Sequence, residues 1–348
     1  MVRQDDEIAR LARDFVCLRI QSMNGVTLAR YPFDYDLTWM AFFTDAQGGI
    51  YARYGGREDD SAESHLSQKS LAAVMREVLR RHARGQPGAD PSRWPTAYKT
   101  PEDIPTLAPM MARRREQCIH CHDVKGASLR QRQTLGQFAK EQVFTYPSPR
   151  RLGIVLDRDD QTRVVQVLTG SAAARAGLAP DDRLQQVADM PVLTFTDVQA
   201  ALHLAPDTGQ VPIVIQRGKK THRLALPLEK NWRWSSDPSW RASLHVAGPG
   251  SGFWGQALSP AEKQRLGLPA DKMALRITVL FGEHARRADL RVGDIVLAVD
   301  DFDQPLTIRQ LQAHLHLYKN FGDRVTWSVL RGGQRRQLDM ILPSAPSD

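Results

Sequence analysis

Hydrophobic positions recur with two different periods along this chain. In HLSQKSLAAVMREVLRRHARG, Leu71, Val74, Met75, Val78 and Leu79 fall three and four apart, which predicts an amphipathic helix stopping near Gly85. In LTWMAFFTDAQGGIYARYGGR, strand-forming runs lie on either side of DAQGG, and IYARY resumes the alternation, which predicts two strands around a turn. DEIARLARDF has helical spacing and leads into FVCLRI, a short apolar run rich in strand formers. Residues 1–86 therefore read as an α/β unit.

The pattern breaks at residue 87. Six prolines stand between Gln86 and Met110, and proline fixes φ and removes a backbone donor, so this stretch reads as a connector. ASLRQRQTLGQFAKEQVF then predicts a helix, which TYPSPRR breaks. From residue 151 the reading is mostly β. RLGIVLD and RVVQVL are strand-like, SAAARAGLAPDDRL gives a short helix and a turn, PVLTFTDVQAALHL a second helix, and VPIVIQRG with THRLALPLE a hairpin. The same order returns in ALRITVL, HARRADLRVGDIVLAVDD, LTIRQLQAHLHLY and RVTWSVLRGGQRRQLDMILP, an internal repeat of roughly a hundred residues.

These repeats resemble bacterial PDZ domains, through SAAARAGLAPDDRL, HARRADLRVGDIVLAVDD and the closing hairpins. The second copy departs in carrying Ala288-Asp289 where Ala-Gly is usual. The resemblance spans somewhat over half of the chain and implies that an extended peptide adds to a sheet edge, its terminal carboxylate captured by backbone N–H groups. The loop that would do this in the first copy is Arg151-Leu152-Gly153-Ile154, with Leu152, Gly153 and Ile154 as the peptide-binding residues; in the second it would be Gly252-Phe253-Trp254-Gly255. Glycine lets the backbone turn its N–H groups inward. The plain alternative is that these loops only begin a strand. PDZ modules also occur in HtrA-like proteases, but no Gly-x-Ser-x-Gly or similar nucleophile segment occurs here, and the expectation is that the chain is not a protease.

The N-terminal unit resembles a thioredoxin-like domain, through ARDFVCLRI and the hairpin YDLTWMAFFTDAQGGIYARYGG. It departs from that fold in lacking a first strand and a Cys-x-x-Cys before Cys17, and in carrying Leu37-Thr38-Trp39 where a cis-proline is usual. Taken whole, the order resembles a bacterial family of thioredoxin-like/PDZ proteins, some of them selenoproteins. The expected architecture is multidomain, α/β followed by mostly β: an N-terminally truncated thioredoxin-like domain (1–86), a Pro-rich linker with the cysteine motif (87–150), and two PDZ domains (151–230 and 231–345).

Cysteine sharpens the functional question. The chain has three, Cys17, Cys118 and Cys121, and REQCIHCHDV contains two of them within a Cys-x-x-Cys-His pattern. Two thiols three apart can reach the two vinyl groups on one edge of a porphyrin, and the adjacent His122 can ligate its iron, so covalent haem c is the first expectation. A dithiol is the second, and a metal site, with only three ligands at hand, the third. Met110 or Met111 would serve as a sixth iron ligand; His65, His82 and His120 are weaker candidates. Arg113, Arg114 and Arg115 could pair with haem propionates or simply form a solvated run. Cys17 reads as a small buried hydrophobe on a strand, with a redox role as the alternative.

The net charge of +8, from 47 Lys and Arg against 39 Asp and Glu, is scattered in arginine pairs without aromatic interleaving. It predicts a basic surface and no nucleic-acid partner. No apolar run is long enough for a membrane span, and MVRQDDEIARLARDF has no signal-peptide core. Haem attachment belongs outside the cytoplasm, so the expectation is an exported, N-terminally shortened redox or electron-transfer protein whose PDZ modules dock a protein partner. An interaction scaffold, or a thiol oxidoreductase using Cys118 and Cys121, is the alternative.

Overall fold

A computed structural model describes residues 6–58, 61–112, 118–234 and 237–345. They fall into two compact units, 1–236 and 237–348.

The first unit opens with α1 (Asp6–Ala12), a two-stranded hairpin of β1 (Ala41–Thr44) and β2 (Ile50–Tyr54), and α2 (Gln68–Ala83). The turn is made by Asp45, whose carboxylate accepts from Gln47 N (3.1 Å) and Gly49 N (2.7 Å). Ser67 caps α2 by accepting from Ser70 N, and Val74, Met75 and Val78 are buried as the helical spacing predicts. The strand expected at FVCLRI does not form. Residues 16–23 carry no regular element, Val16 is 90% and Leu18 86% exposed, and Cys17 is an exposed thiol rather than a buried one. Strand formers need a neighbour's donors and acceptors, and the sheet here is two-stranded, β1 with β2, extended only by a bridge from Ile50 to Ala89.

The Pro-rich stretch is packed rather than free. Trp94, Ile104 and Leu107 are buried. The last two join Met23, Leu28, Ile119, Val124 and Ala127 in a small core beneath α3 (Leu107–Ala112) and α4 (Cys121–Thr134). Proline fixes φ without forbidding burial of the residues between.

The first repeat follows: β3 (Ile154–Leu156), β4 (Val164–Val167), α5 (Ala172–Arg175), β5 (Arg183–Val187), β6 (Met190–Pro191), α6 (Phe195–His203), β7 (Gly209–Arg217) and β8 (Lys220–Leu228). β3 pairs with β4, and a four-stranded sheet runs β6-β5-β7-β8. One core gathers Leu152, Ile154, Leu184, Phe195, Val198, Leu202, Ile213 and Ile215, and Trp94 and Tyr146 belong to it.

The second unit holds β9 (Phe253–Ala257), α7 (Pro260–Arg265), β10 (Leu275–Leu280), α8 (Glu283–Arg287), β11 (Ile295–Val299), α9 (Ile308–Tyr318), β12 (Arg324–Arg331) and β13 (Gln334–Ile341). Its five strands run β13-β12-β11-β10-β9 around a core centred on Trp327, Leu311, Leu315 and Phe253. The repeat seen in the sequence has a shared brace. Asp182 accepts from Ala179 N (2.9 Å) and from Arg217 Nε and Nη2 (both 2.7 Å). Asp294 accepts from Arg291 N (2.9 Å) and from Arg331 Nε (2.7 Å) and Nη2 (2.8 Å). The acidic residue that opens β5 or β11 thus caps its own turn and holds the guanidinium of the closing hairpin.

Candidate functional site

A groove wall in the first repeat is built from the loop before β3. Ser148 accepts from Arg150 N and starts a 3₁₀ turn, Pro149–Leu152, which Gly153 ends at φ +87°. A side chain is excluded there twice over: the backbone is left-handed, and a Cβ would lie 2.0 Å from Ser171 Oγ. Gly153 O then accepts from Leu168 N (2.9 Å), which sets the β3–β4 register. Leu152 and Ile154, predicted as peptide contacts, are buried core residues that flank this turn. Among the described residues β3 pairs on one side only, with β4.

The second repeat reproduces the turn. Gly252 has φ +78°, and its O accepts from Phe281 N (3.0 Å), as Gly153 O does from Leu168. The equivalent loop is therefore Gly250-Ser251-Gly252-Phe253, two residues earlier than the sequence suggested; Trp254 and Gly255 lie within β9. The left-handed glycine, not the bulky pair after it, marks the turn. β9 is a sheet edge, and Trp254 stands opposite Val279 with Phe281 two residues on, all exposed. Gln312 of α9 reaches the loop: its Oε1 accepts from Ser251 N (3.0 Å) and its Nε2 donates to Phe253 O (2.9 Å).

Helix α6 forms the other wall in the first repeat. The equivalent glutamine, Gln199, donates from Nε2 to Tyr146 O (3.1 Å) and Arg57 O (2.9 Å). The last α6 residue, His203, stacks on Tyr146, with ring centroids 4.2 Å apart. Polar residues of α6 are buried against the β2 end of the hairpin. Asp197 Oδ1 accepts from Arg53 N (2.9 Å), and Thr196 Oγ1 accepts from Gly56 N (2.7 Å). Arg53 and Asp197 also form a buried ion pair at 3.8 Å. Burial pushes the Asp197 carboxyl up, against the pull of Arg53 and of the N–H groups of Arg53 and Leu193. None of this was visible in the sequence, since α6 and its partner strand lie some 140 residues apart.

The cysteine motif begins α4. His120 is the N-cap residue, its N–H donating to Asp123 Oδ2 (2.9 Å), and Ile119 is buried with its N–H donating to Asn24 Oδ1 (3.0 Å). Cys118 is exposed and Cys121 half-buried, both as free thiols. Burial pushes the Cys121 thiol up, and Asp123 pushes the same way. The His120 and His122 rings stack at 5.6 Å, and His122 Nε2 lies 3.7 Å from Asp123 Oδ1. Met111 is buried and Met110 half-buried in the core under this helix. His82 and His65 are engaged elsewhere, His82 with Tyr51 Oη (3.1 Å) and His65 with Phe195 and Glu58. Arg113, Arg114 and Arg115 lie outside the described residues. Among the described residues no group of three or more His, Cys, Asp or Glu side chains is placed to hold a metal ion.

Residues 163–217 match the family model described as PDZ domain. This chain contains a PDZ domain. It is 38% identical over 68 residues to HhoB of Synechocystis sp. (strain ATCC 27184 / PCC 6803 / Kazusa), described there as a candidate serine protease. That match takes in 20% of this chain and spans 16% of the relative's length. Among solved structures, the HtrA-type protease AlgW with tripeptide aligns at 23% identity over 28% of this chain and 32% of its own, with a TM-score of 0.24. AlgWS227A with decapeptide aligns at 16% identity over 53% and 54%, with a TM-score of 0.28. Two expectations are corrected here. The expectation that the chain is not a protease is overturned as a conclusion, because the stretch shared with HhoB belongs to a protein described as a serine protease; a missing Gly-x-Ser-x-Gly speaks only of one nucleophile setting. The haem electron-carrier reading is overturned as well, because the curated protein that shares a stretch with this chain is described as a serine protease and not as a redox carrier. A five-residue pattern carried that reading, while the PDZ match extends over 55 residues. No helix among the described residues is long and apolar enough to cross a membrane.

Proposed function

We propose that this chain is an interaction scaffold whose two repeats, both read as PDZ domains, dock protein partners as extended peptides. The observation that carries the reading is the pairing of a left-handed glycine turn with a one-sided edge strand, at Gly153 before β3 and again at Gly252 before β9. An unpaired strand edge offers a row of donors and acceptors for an added strand, and apolar side chains beside it give selectivity. Trp254, Val279 and Phe281 supply such side chains next to β9. The β1–β2 hairpin and α2 are what supports the thioredoxin-like reading of the first module. An extracytoplasmic setting no longer draws support from the cysteine motif and rests on kinship with HtrA-type proteins. Displaying random C-terminal peptides to the purified full chain tests the proposal. Enrichment of a consensus that needs a free carboxyl terminus is expected. Recovery of no consensus, or of one indifferent to amidation, would remove it.

A further inference from the structure

We infer that the groove between β3 and α6 is held shut by residues 56–58 and 65–66 of the same chain, with the Glu58 carboxylate at the place of a ligand's terminal carboxylate. This rests on the docking reading and adds its regulation.

Three borders of the groove are engaged. At the turn, Glu58 accepts from Ser148 Oγ and, at 3.4 Å, from Arg150 Nε. These two residues begin the turn that ends at Gly153. At the first residue of α6, the His65 ring lies flat on Phe195, with centroids 3.5 Å apart and planes 8° apart. At the β3–β4 connection, Gln161 Nε2 donates to His65 O, and Arg158 Nε donates to Leu66 O (2.9 Å). His65 also closes on Glu58, with Nε2 3.4 Å from Oε1. Both side chains are nearly buried, at 10% and 13% exposure.

The direction of the segment matters. Arg53 meets Thr194 and Asp197 at the start of α6, Arg57 meets Gln199 further along, and Glu58 meets the turn. The chain thus approaches the loop with a carboxylate arriving last, as the end of a docked peptide would. Gly56 is what allows the approach, because a Cβ there would lie 2.2 Å from Gln199 Oε1. The second repeat has Arg309 and Gln310 where α6 has Thr196 and Asp197. There Gln310 is used for capping and for a bond to Asp237, and Arg309 is exposed.

The contacts at the turn are ionic and hydrogen-bonded, so a competing carboxylate could exchange for them. The carboxyl of Glu58 reflects this. Burial alone would raise it, but the hydrogen bond from Ser148 and the neighbouring His65 and Arg150 side chains bring it down to about 2.

Amide hydrogen exchange on the full chain tests the closure, comparing the native sequence with Glu58→Gln and, separately, Arg158→Gln. Exchange across residues 149–156 is expected to quicken about ten-fold in either variant while the β7–β8 hairpin is unchanged, since local opening is read separately from global unfolding. Unchanged exchange in both variants would overturn the closure. The same proteins are then mixed with a pool of short synthetic peptides bearing free carboxyl termini, and protection is read at residues 154–156. Stronger protection in the variants supports closure, and clear protection of equal size in native and variant chains overturns it. Faster exchange in the variants with no protection by any peptide upholds the closure and removes the docking reading instead.

Discussion

Gly153 shows how a single residue sets the geometry of the first repeat. Its left-handed backbone and the 2.0 Å approach to Ser171 Oγ leave no room for a methyl group. Gly153→Ala is expected to cost about 1–3 kcal/mol and to be visible as a lowered midpoint in denaturant. Asp197 sets a different kind of constraint. Removing it leaves the Arg53 guanidinium buried and short of its carboxylate, and Asp197→Ala is expected to destabilise the first unit by about 3–5 kcal/mol. Glu58 gives the pH dependence. Its folded carboxyl titrates at about 2, below the ordinary 4.5, so its contribution is complete above pH about 4.5 and is lost as pH falls toward 2. Protection at residues 149–156, taken relative to the intrinsic exchange rate at each pH, should therefore fall on acidification through that window, and should lose that dependence in Glu58→Gln. Little of this residue-level detail is readable from the chain. The glycine was, because a turn before a strand predicts it. The partners of Asp197 and Glu58 were not, since they depend on packing between segments distant in sequence.

Elements fared unevenly for a physical reason. The stripe of α2 and the turn at DAQGG are local patterns, and both form where the spacing puts them. The four-segment repeat is legible because each copy needs the same brace, Asp182 with Arg217 and Asp294 with Arg331. FVCLRI forms no strand because strand propensity is only realised beside another strand, and the burial of Trp94, Ile104 and Leu107 within the Pro-rich connector is not legible in the chain because they pack against segments the local pattern cannot show. The second peptide loop was displaced by two residues because φ at Gly252, not residue size, decides where the turn falls. At this scale the β9 edge makes its own prediction. Trp254 is 41% and Phe281 62% exposed, so Trp254→Ser should change stability by no more than about 0.5 kcal/mol. It should nonetheless weaken capture of any peptide selected on the second repeat, which surface plasmon resonance against that peptide would measure.

For the molecule as a whole, two cores are separate in composition, one around Phe195 and Leu202, the other around Trp327 and Leu311. Leu311→Ala is expected to remove about 2–5 kcal/mol from the second unit, and calorimetry should show one transition lowered and the other in place. The thiols of the cysteine motif lie before and at the start of α4, whereas the family match falls on residues 163–217, a PDZ domain. The central claim is edge-strand docking, and the most direct measurement is an NMR titration of the full chain with a selected peptide in free-acid and amidated forms. The account predicts shifts at the amides of Phe253–Ala257 first and of Ile154–Leu156 once the Glu58 contact is broken, with the amidated form binding far more weakly. Shifts confined to other surfaces, or equal binding by the two forms, would contradict it.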